Sequence, residues 1–423
     1  MKEKIARKIF NVQSAVLRKD QLSLPDFILW LFMIICGFIY YCLNYLKWFL
    51  YKKGALKRYR PELFSVSVGN IKIGGTGKSP IVIKMASDII FRGIGCAVIN
   101  RGYLGPVSGL NIVSDGIYLK KTIIECSDEA FMEAIALLGG KGCAYKKSVN
   151  SELMQRSQKI ICFGENKIES DIGAVVLTSK HRVESMKYLE SAGFEGIALL
   201  DDAFQYYRLE KALDIVVLDY NDPFSNGLTF PAGMLRDRLS RLCEADIVIV
   251  SKCPPRTGAC DKKIAAIKKA VAKYGYNAEL FLSGNVITEA YGVSDEKKRS
   301  FDSFSGLKVY VFSGLGNNHS FFSEMRKISE KFGFEIACEG FLDHENYSGE
   351  TIVEIVRKAR AYGASAIFTT FKDLVKQPAA GYKDMPLYAV SFETWISDED
   401  RFYEHIYASY KKFMKGKKNK ENE

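Results

Sequence analysis

The sequence predicts an α/β chain with a mainly parallel sheet carrying helices on both faces, a second smaller α/β domain, and an N-terminal membrane helix. Three observations carry this reading. Apolar runs of four to seven residues alternate with longer helix-compatible stretches, and most are unbroken Val/Ile/Leu, as in strands buried on both faces. A loop reading Gly74-Gly75-Thr76-Gly77-Lys78-Ser79 stands directly after the strand-like run Phe64 to Val68 and before a helix-compatible run from Ile81 to Phe91. Finally, Phe27 to Leu46 is a stretch of twenty residues without a charge.

In chain order the apolar stretch comes first. At about 1.5 Å per residue it is long enough to cross a hydrocarbon core. Trp30, Tyr40, Tyr41, Tyr45 and Trp48 supply interfacial aromatics, and Lys47, Lys52, Lys53, Lys57, Arg58 and Arg60 follow. Its length, its late start and the lack of a small-residue cleavage site argue against a cleaved signal peptide. The alternative is a buried helix of a soluble core. Basic residues also precede it (Lys2, Lys4, Arg7, Lys8, Arg18, Lys19), so the positive-inside rule gives no orientation. The stretch is read as an anchor, spanning or lying deep in the interface, with the catalytic part of the chain in the cytoplasm.

Strands are expected at 64–68, 96–99, 173–177, 196–200, 214–218 and 246–251, with helices near 78–91, 128–138, 182–192 and 262–273. Only the first strand alternates apolar with polar. A second series begins at Lys308, with helices near 319–331 and 349–362 and strands at 366–370 and 387–391. Between the two series, Ser294 to Ser305 is charged and without period, which places a boundary there. The expected division is an anchor over 1–55, a P-loop domain over 56–300 and a smaller domain over 301–423. The basic end, Lys411 to Lys420, reads as a solvated disordered tail, with attraction to a membrane surface as the second reading.

Composition sets bounds without choosing a function. At 423 residues the chain has room for two or three domains, and a net charge of +11 favours anionic partners, whether nucleic acid, nucleotide or acidic lipid. Ten cysteines are scattered with no C-x-x-C and no zinc-type spacing, which reads as reduced packing cysteines. With four histidines, a His-rich metal centre is not expected.

The glycine-rich loop points to nucleotide chemistry. Its glycines (Gly74, Gly75, Gly77) let successive backbone N–H groups, with that of Thr76, turn toward phosphates; the Lys78 ammonium can reach the β/γ oxygens and the Ser79 hydroxyl can ligate Mg²⁺. ATP and Mg²⁺ are the expected cofactors of a P-loop NTPase-type sheet. One position departs from the general pattern: Lys72 stands where the first glycine of G-x-x-x-x-G-K-[ST] belongs.

Asp201 and Asp202 end an apolar run at the expected C-terminal edge of a strand, where ligands bind in doubly wound sheets. Two adjacent carboxylates near a core call for a cation, and holding Mg²⁺ meets that demand; a helix cap or acidic turn is the alternative. Asp128 opens a helix-like run, so capping by Ser127 with acids in the first turn competes with catalysis. Asp343-His344 in a loop of the second series can share or relay a proton, or be structural. Arg101 lies at another strand end, suited to an anionic group. Arg236, Arg238 and Arg241 form a stripe that could grip phosphate or be solvated helix charge. Asp219 is a strand-edge carboxylate or a cap.

Together these motifs resemble the tetraacyldisaccharide 4'-kinase family over roughly residues 20–400. The resemblance rests on VGNIKIGGTGKSP (68–80), NRGYLG (100–105), SDEA (127–130), LLDDAFQYYRL (199–209), DIVVLD (214–219), PAGMLRDRLSRL (231–242), ADIVIVSK (245–252), FSGLGN (312–317), DHENYS (343–348) and TTFKDLVK (369–376). That family also lacks the glycine at the position of Lys72. The resemblance implies that Lys78 and Ser79 bind ATP phosphates and Mg²⁺, that Asp201 and Asp202 stand at the metal site, and that Asp128 and His344 match the pair that activates the sugar hydroxyl. It further implies an inner-membrane enzyme with a lipid-linked disaccharide substrate and no nucleic-acid partner. Departures from the family pattern are Ala203 and Tyr206 for Gly and His, Asp237 and Arg238 for Glu and Pro, Phe371 for Glu, and Ser127 and Ala130 for Gly and Pro. A membrane-associated P-loop ATPase switch of the partitioning type is the competing reading. Such proteins carry lysine immediately before Gly-Gly, where this chain has Ile73.

Overall fold

The computed structural model describes residues 21–102, 109–122, 125–138, 173–254, 261–274, 278–295, 297–315, 318–342, 347–374 and 385–421, together with 8–9, 11–13, 15–16, 376–377 and 382. Among the described residues thirteen strands form one sheet.

The long first helix, α1 (Leu24–Lys52), is capped by Ser23, whose hydroxyl accepts from the Asp26 amide, and carries proline in its first turn. β1 (Phe64–Gly69) leads through the glycine-rich loop into α2 (Lys78–Phe91). The chain continues through β2 (Cys96–Asn100), β3 (Asn111–Asp115), α3 (Asp128–Ala136), β4 (Val175–Thr178), α4 (Arg182–Ser191), β5 (Ile197–Asp201), β6 (Leu213–Asp219), β7 (Ile247–Ser251), α5 (Lys262–Tyr274) and β8 (Glu279–Gly292). Then follow β9 (Lys298–Arg299), β10 (Lys308–Ser313), α6 (Asn318–Phe332), β11 (Glu335–Gly340), α7 (Gly349–Tyr362), β12 (Ala366–Thr370), one helical turn (Phe371–Leu374), β13 (Leu387–Ile396) and α8 (Glu399–Glu421).

The sheet order is β11-β10-β12-β13-β8-β7-β6-β1-β5-β2-β4-β3, with β9 on β8. The strands from β8 through β4 pair in parallel, and β3 closes one edge antiparallel. β11, β10, β12 and β13 form a second parallel group. β8 joins the two: residues 279–282 pair parallel with β7, and residues 283–292 run antiparallel to β13.

Alternate residues of each strand feed opposite cores. Phe64, Val66 and Val68 of β1 pack with Ile81, Met85 and Ile89 of α2, while Ala198 and Leu200 of β5 pack on the other face with Met186 and Leu189 of α4. The C-terminal half repeats the plan: Val309 and Val311 face α6, and Tyr310 and Phe312 face α7. The expected fold class is therefore found, with helices on both faces.

Several elements differ from expectation. Ser65 and Ser67 make β1 alternate in sequence, yet all six of its residues are buried. β3, β8, β9 and β11 were not expected; β8 and β11 interleave Glu, Gly and Asn with apolar residues, and β11 lies half-exposed at the sheet edge. The basic end is no disordered tail: it completes α8, whose Phe402, Tyr403 and Ile406 are buried and whose Tyr410 and Phe413 meet the Phe64 ring edge-on. Burial of those apolar residues along the first four turns carries the charged last turns as helix.

α1 is not a core helix. Only 11% of its most apolar stretch is buried, and Ile28, Leu31, Phe32, Ile35, Phe38 and Leu43 stand exposed. One side docks on the N-terminal half. There the Thr229 hydroxyl donates to the Gly37 carbonyl at 2.7 Å, and a Cβ at Gly37 would sit 2.9 Å from the Thr229 carbonyl oxygen, so the contact requires glycine. Trp48 Nε1 donates to Glu244 at 2.7 Å. Arg238 stacks over the Trp48 and Tyr45 rings at 3.9 and 4.7 Å.

Candidate active site

The register of β1 against β5 sets Val68 beside Asp201, so the phosphate loop and the paired carboxylates leave the sheet at the same edge. Gly74 and Gly77 hold φ of +105° and +80°, a region where a side chain is strained. Gly77 is the residue before α2, which puts Lys78 and Ser79 in the first helical turn, where the N–H groups have no intrahelical partner. The loop is braced from beneath: buried Asn70 donates to the Thr76 hydroxyl at 2.9 Å, and Ser251 donates to the Thr76 carbonyl at 2.5 Å. Lys252 adds a brace from the end of β7, donating to the Gly75 carbonyl and pairing with Asp219 at 2.7 Å. Lys72, the unusual residue of the loop, pairs with Asp222.

Asp202 lies one residue beyond β5 in the left-handed region, φ +50°, with its amide donating to the Val68 carbonyl. That turn aims its carboxylate at Lys78, 3.4 Å away, and at Arg236, which donates to both oxygens at 2.8 Å. Arg236 also donates to the Lys72 carbonyl and to Asn70 Oδ1. Burial alone would raise the Asp202 pKa, but Lys78 and Arg236 outweigh it and hold the carboxyl well below the usual range. The Arg236 carbonyl in turn accepts from Tyr40 and Asn44 of α1 at 3.2 and 3.3 Å.

Asp201 has the opposite environment. Burial pushes its carboxyl up despite Lys78, and its Oδ1 has no hydrogen-bond partner. Asn100 Nδ2 sits 3.4 Å from both Asp201 Oδ2 and Glu133 Oε2. Glu133 is fully buried on α3 and raised by that burial and by Asp201, with Oε1 unpartnered. Buried Arg182 donates to the carbonyls of Asp201 and Asp202 at 2.9 and 2.8 Å, fixing the backbone of the pair.

Asp128 opens α3. Ser127 occupies the cap position, but its hydroxyl is buried and makes no capping bond, so the expected side-chain cap is absent. The Asp128 carboxylate lies 2.9 Å from the ammonium of Lys376, which comes from the C-terminal half. Arg101 is exposed just past β2. Asp343 and His344 lie outside the described residues; Tyr347, a few positions further along the sequence, donates to Asp373 at 3.0 Å. The structure thus gathers Lys78, Asp201, Asp202 and Arg236 at one edge, with Asp128 paired to Lys376. Sequence reasoning missed Asn100, Glu133, Arg182, Lys252 and Lys376. Asn100 and Lys252 were visible as polar ends of apolar runs, whereas Glu133 and Arg182 look like ordinary helix charges.

A central parallel strand running into a braced phosphate loop, with a lysine facing strand-end carboxylates, defines a P-loop nucleotide-utilising protein. Comparison narrows this: the chain belongs to the tetraacyldisaccharide-1-P 4'-kinase family, whose model matches residues 29–137 and 145–411. A tetraacyldisaccharide 4'-kinase of Desulfotalea psychrophila is 30% identical over 84% of this chain and 89% of its own length. One from Pelobacter propionicus is 31% identical over 84% and 85%. The "apo" form of the Aquifex aeolicus member in complex with ATP shares the fold at a TM-score of 0.64 and 23% identity, covering 89% of this chain and 98% of that one.

Proposed function

We propose that this chain is an ATP-dependent kinase that transfers the γ-phosphoryl group to the 4'-hydroxyl of a tetraacylated glucosamine disaccharide 1-phosphate, giving the lipid A precursor lipid IVA. The observation that carries the reading is the cluster of Lys78, Asp202 and Arg236 against the phosphate loop of a chain belonging to this family. Phosphoryl transfer asks a protein mainly for alignment and charge neutralisation. The loop amides from Gly74 to Ser79 would cradle the phosphates, and Lys78 would leave Asp202 for the β/γ oxygens. Arg236 would then keep the Asp202 carboxylate compensated. Asp128 would receive the hydroxyl proton, with His344 as its partner, and Arg101 would meet an anionic group of the substrate.

The residues present fit Mg²⁺. Asp201 offers a buried carboxylate oxygen without a partner, and Ser79 offers a hydroxyl at the start of α2, a hard-oxygen donor set. Asp202 has both oxygens taken by Arg236, which favours Asp201 as the direct ligand. Bound there, the ion would neutralise charge on the phosphates.

The exposed apolar side of α1 supports an inner-membrane enzyme, spanning or embedded, with its sheet on the cytoplasmic side where ATP is. Because α1 also holds the Arg236 backbone, the anchor and the phosphate site would be one unit, with the lipid headgroup presented close to the loop. The division at about residue 300 belongs to this reading, with β8 and β13 as the joint. Incubating the full-length, detergent-solubilised protein with labelled ATP, Mg²⁺ and the tetraacylated disaccharide 1-phosphate is expected to give labelled lipid. Hydrolysis to free phosphate alone would overturn the kinase reading in favour of an ATPase switch.

A further inference from the structure

We propose that Lys376 is a positioning residue of the phosphoryl-transfer site, its ammonium orienting the Asp128 carboxylate from the C-terminal half of the molecule. The inference rests on the reading of Asp128 as the group that takes the hydroxyl proton.

The two residues are far apart in sequence and belong to different parts of the sheet. Asp128 is the first residue of α3; Lys376 follows the helical turn after β12. Their charged atoms lie 2.9 Å apart, with the Lys376 side chain 2% exposed and Asp128 29% exposed. Among the described residues, Asp128 is the carboxylate within ion-pair distance of this ammonium, and Lys376 Nζ makes no hydrogen bond of good geometry. A buried ammonium costs several kcal/mol unless a counter-charge sits beside it, so the fold tolerates a lysine here because Asp128 is opposite. Conversely, the ammonium engages Oδ2 of Asp128 at the start of α3 and so helps set the orientation of the carboxylate.

Lys376 is itself held. Its amide donates to the Asp373 carbonyl at 3.3 Å, and buried Asp373 accepts from the Gly314 amide, the Tyr347 hydroxyl and the Thr370 hydroxyl at 3.1, 3.0 and 2.7 Å. The ammonium therefore projects from a stiff corner where β10 and β12 end. Placement of Asp128 then depends on apposition of the two halves, and a misplaced proton acceptor costs rate rather than nucleotide affinity.

The test uses the full-length detergent-solubilised enzyme and the labelled-lipid assay, with Lys376→Met, Lys376→Arg, Asp128→Asn and the double variant Asp128→Asn/Lys376→Met. Lys376→Met is expected to lower kcat by about 10- to 10²-fold with KM for ATP within about twofold, and Lys376→Arg to recover most of the loss. The double variant, which leaves no lone buried charge and so folds even if Lys376→Met does not, is expected to be no slower than Asp128→Asn. A folded Lys376→Met enzyme with the parent's kcat overturns the inference, as does a double variant slower than Asp128→Asn by the full factor of the lysine change. If Asp128→Asn itself keeps the parent's kcat, the base reading fails and takes the inference with it.

Discussion

At the loop edge of the N-terminal half, β5 ends in Asp201 with a carboxylate oxygen that meets no donor, and Glu133 beside it carries another. At the matching edge of the C-terminal half, Asp373 follows β12 with both oxygens engaged by Gly314, Tyr347 and Thr370. Both carboxylates are buried at or just past the end of a parallel strand, yet they do different work. The satisfied one ties a corner together. An unsatisfied buried carboxylate is costly, and a fold keeps it where a cation can come to it. The contrast separates a half that handles charge from a half that positions groups, and substitutions can break or sharpen it.

The largest effect is expected at Lys78. Replacing it with methionine should lower lipid phosphorylation by roughly 10³-fold while the thermal melt shifts little, because Arg236 still compensates Asp202 once the Lys78 ammonium is gone. Asp128→Asn should lower kcat by about 10²-fold with little change in ATP affinity, read by steady-state kinetics and nucleotide titration. A change of Asp201 to Asn should raise the Mg²⁺ concentration for half-maximal activity by roughly tenfold or more. If Asp202→Asn produced that shift and Asp201→Asn did not, the assignment of the direct ligand would be reversed.

On the other half, Asp373→Ala removes the acceptor of three hydrogen bonds, each worth about 1 kcal/mol net, so denaturant unfolding should show a loss of roughly 3 kcal/mol together with a drop in turnover through Lys376. Lost stability with full turnover would mean that the corner does not position the site. The smallest effect belongs to Arg238→Ala, which removes a cation–π stack worth about 1 kcal/mol and should ease proteolytic release of α1 without abolishing kinase activity.

Legibility followed chemistry and burial. The phosphate loop could be read because glycine, lysine and serine at fixed spacing have few other uses, and the strands of the N-terminal half because strands buried on both faces are unbroken apolar runs. β8 escaped because a strand that changes partners midway needs glycine and polar residues where its environment changes. The end of α8 escaped because Lys-rich composition hides the aromatics that dock it on Phe64. Within the site, spacing left Arg236 open between gripping phosphate and solvated helix charge, and the structure pairs it with both oxygens of Asp202.

The sequence alone determined the α/β class, the phosphate loop, the apolar helix and the family, because these depend on local spacing, periodicity and motif order. The tertiary structure decided which of two adjacent aspartates is compensated and which is left open, since that depends on Arg236 arriving from 34 residues away. It also decided that Lys376 meets Asp128. Electrostatic environments are made by groups that meet only when the chain closes, and no spacing along one strand encodes them.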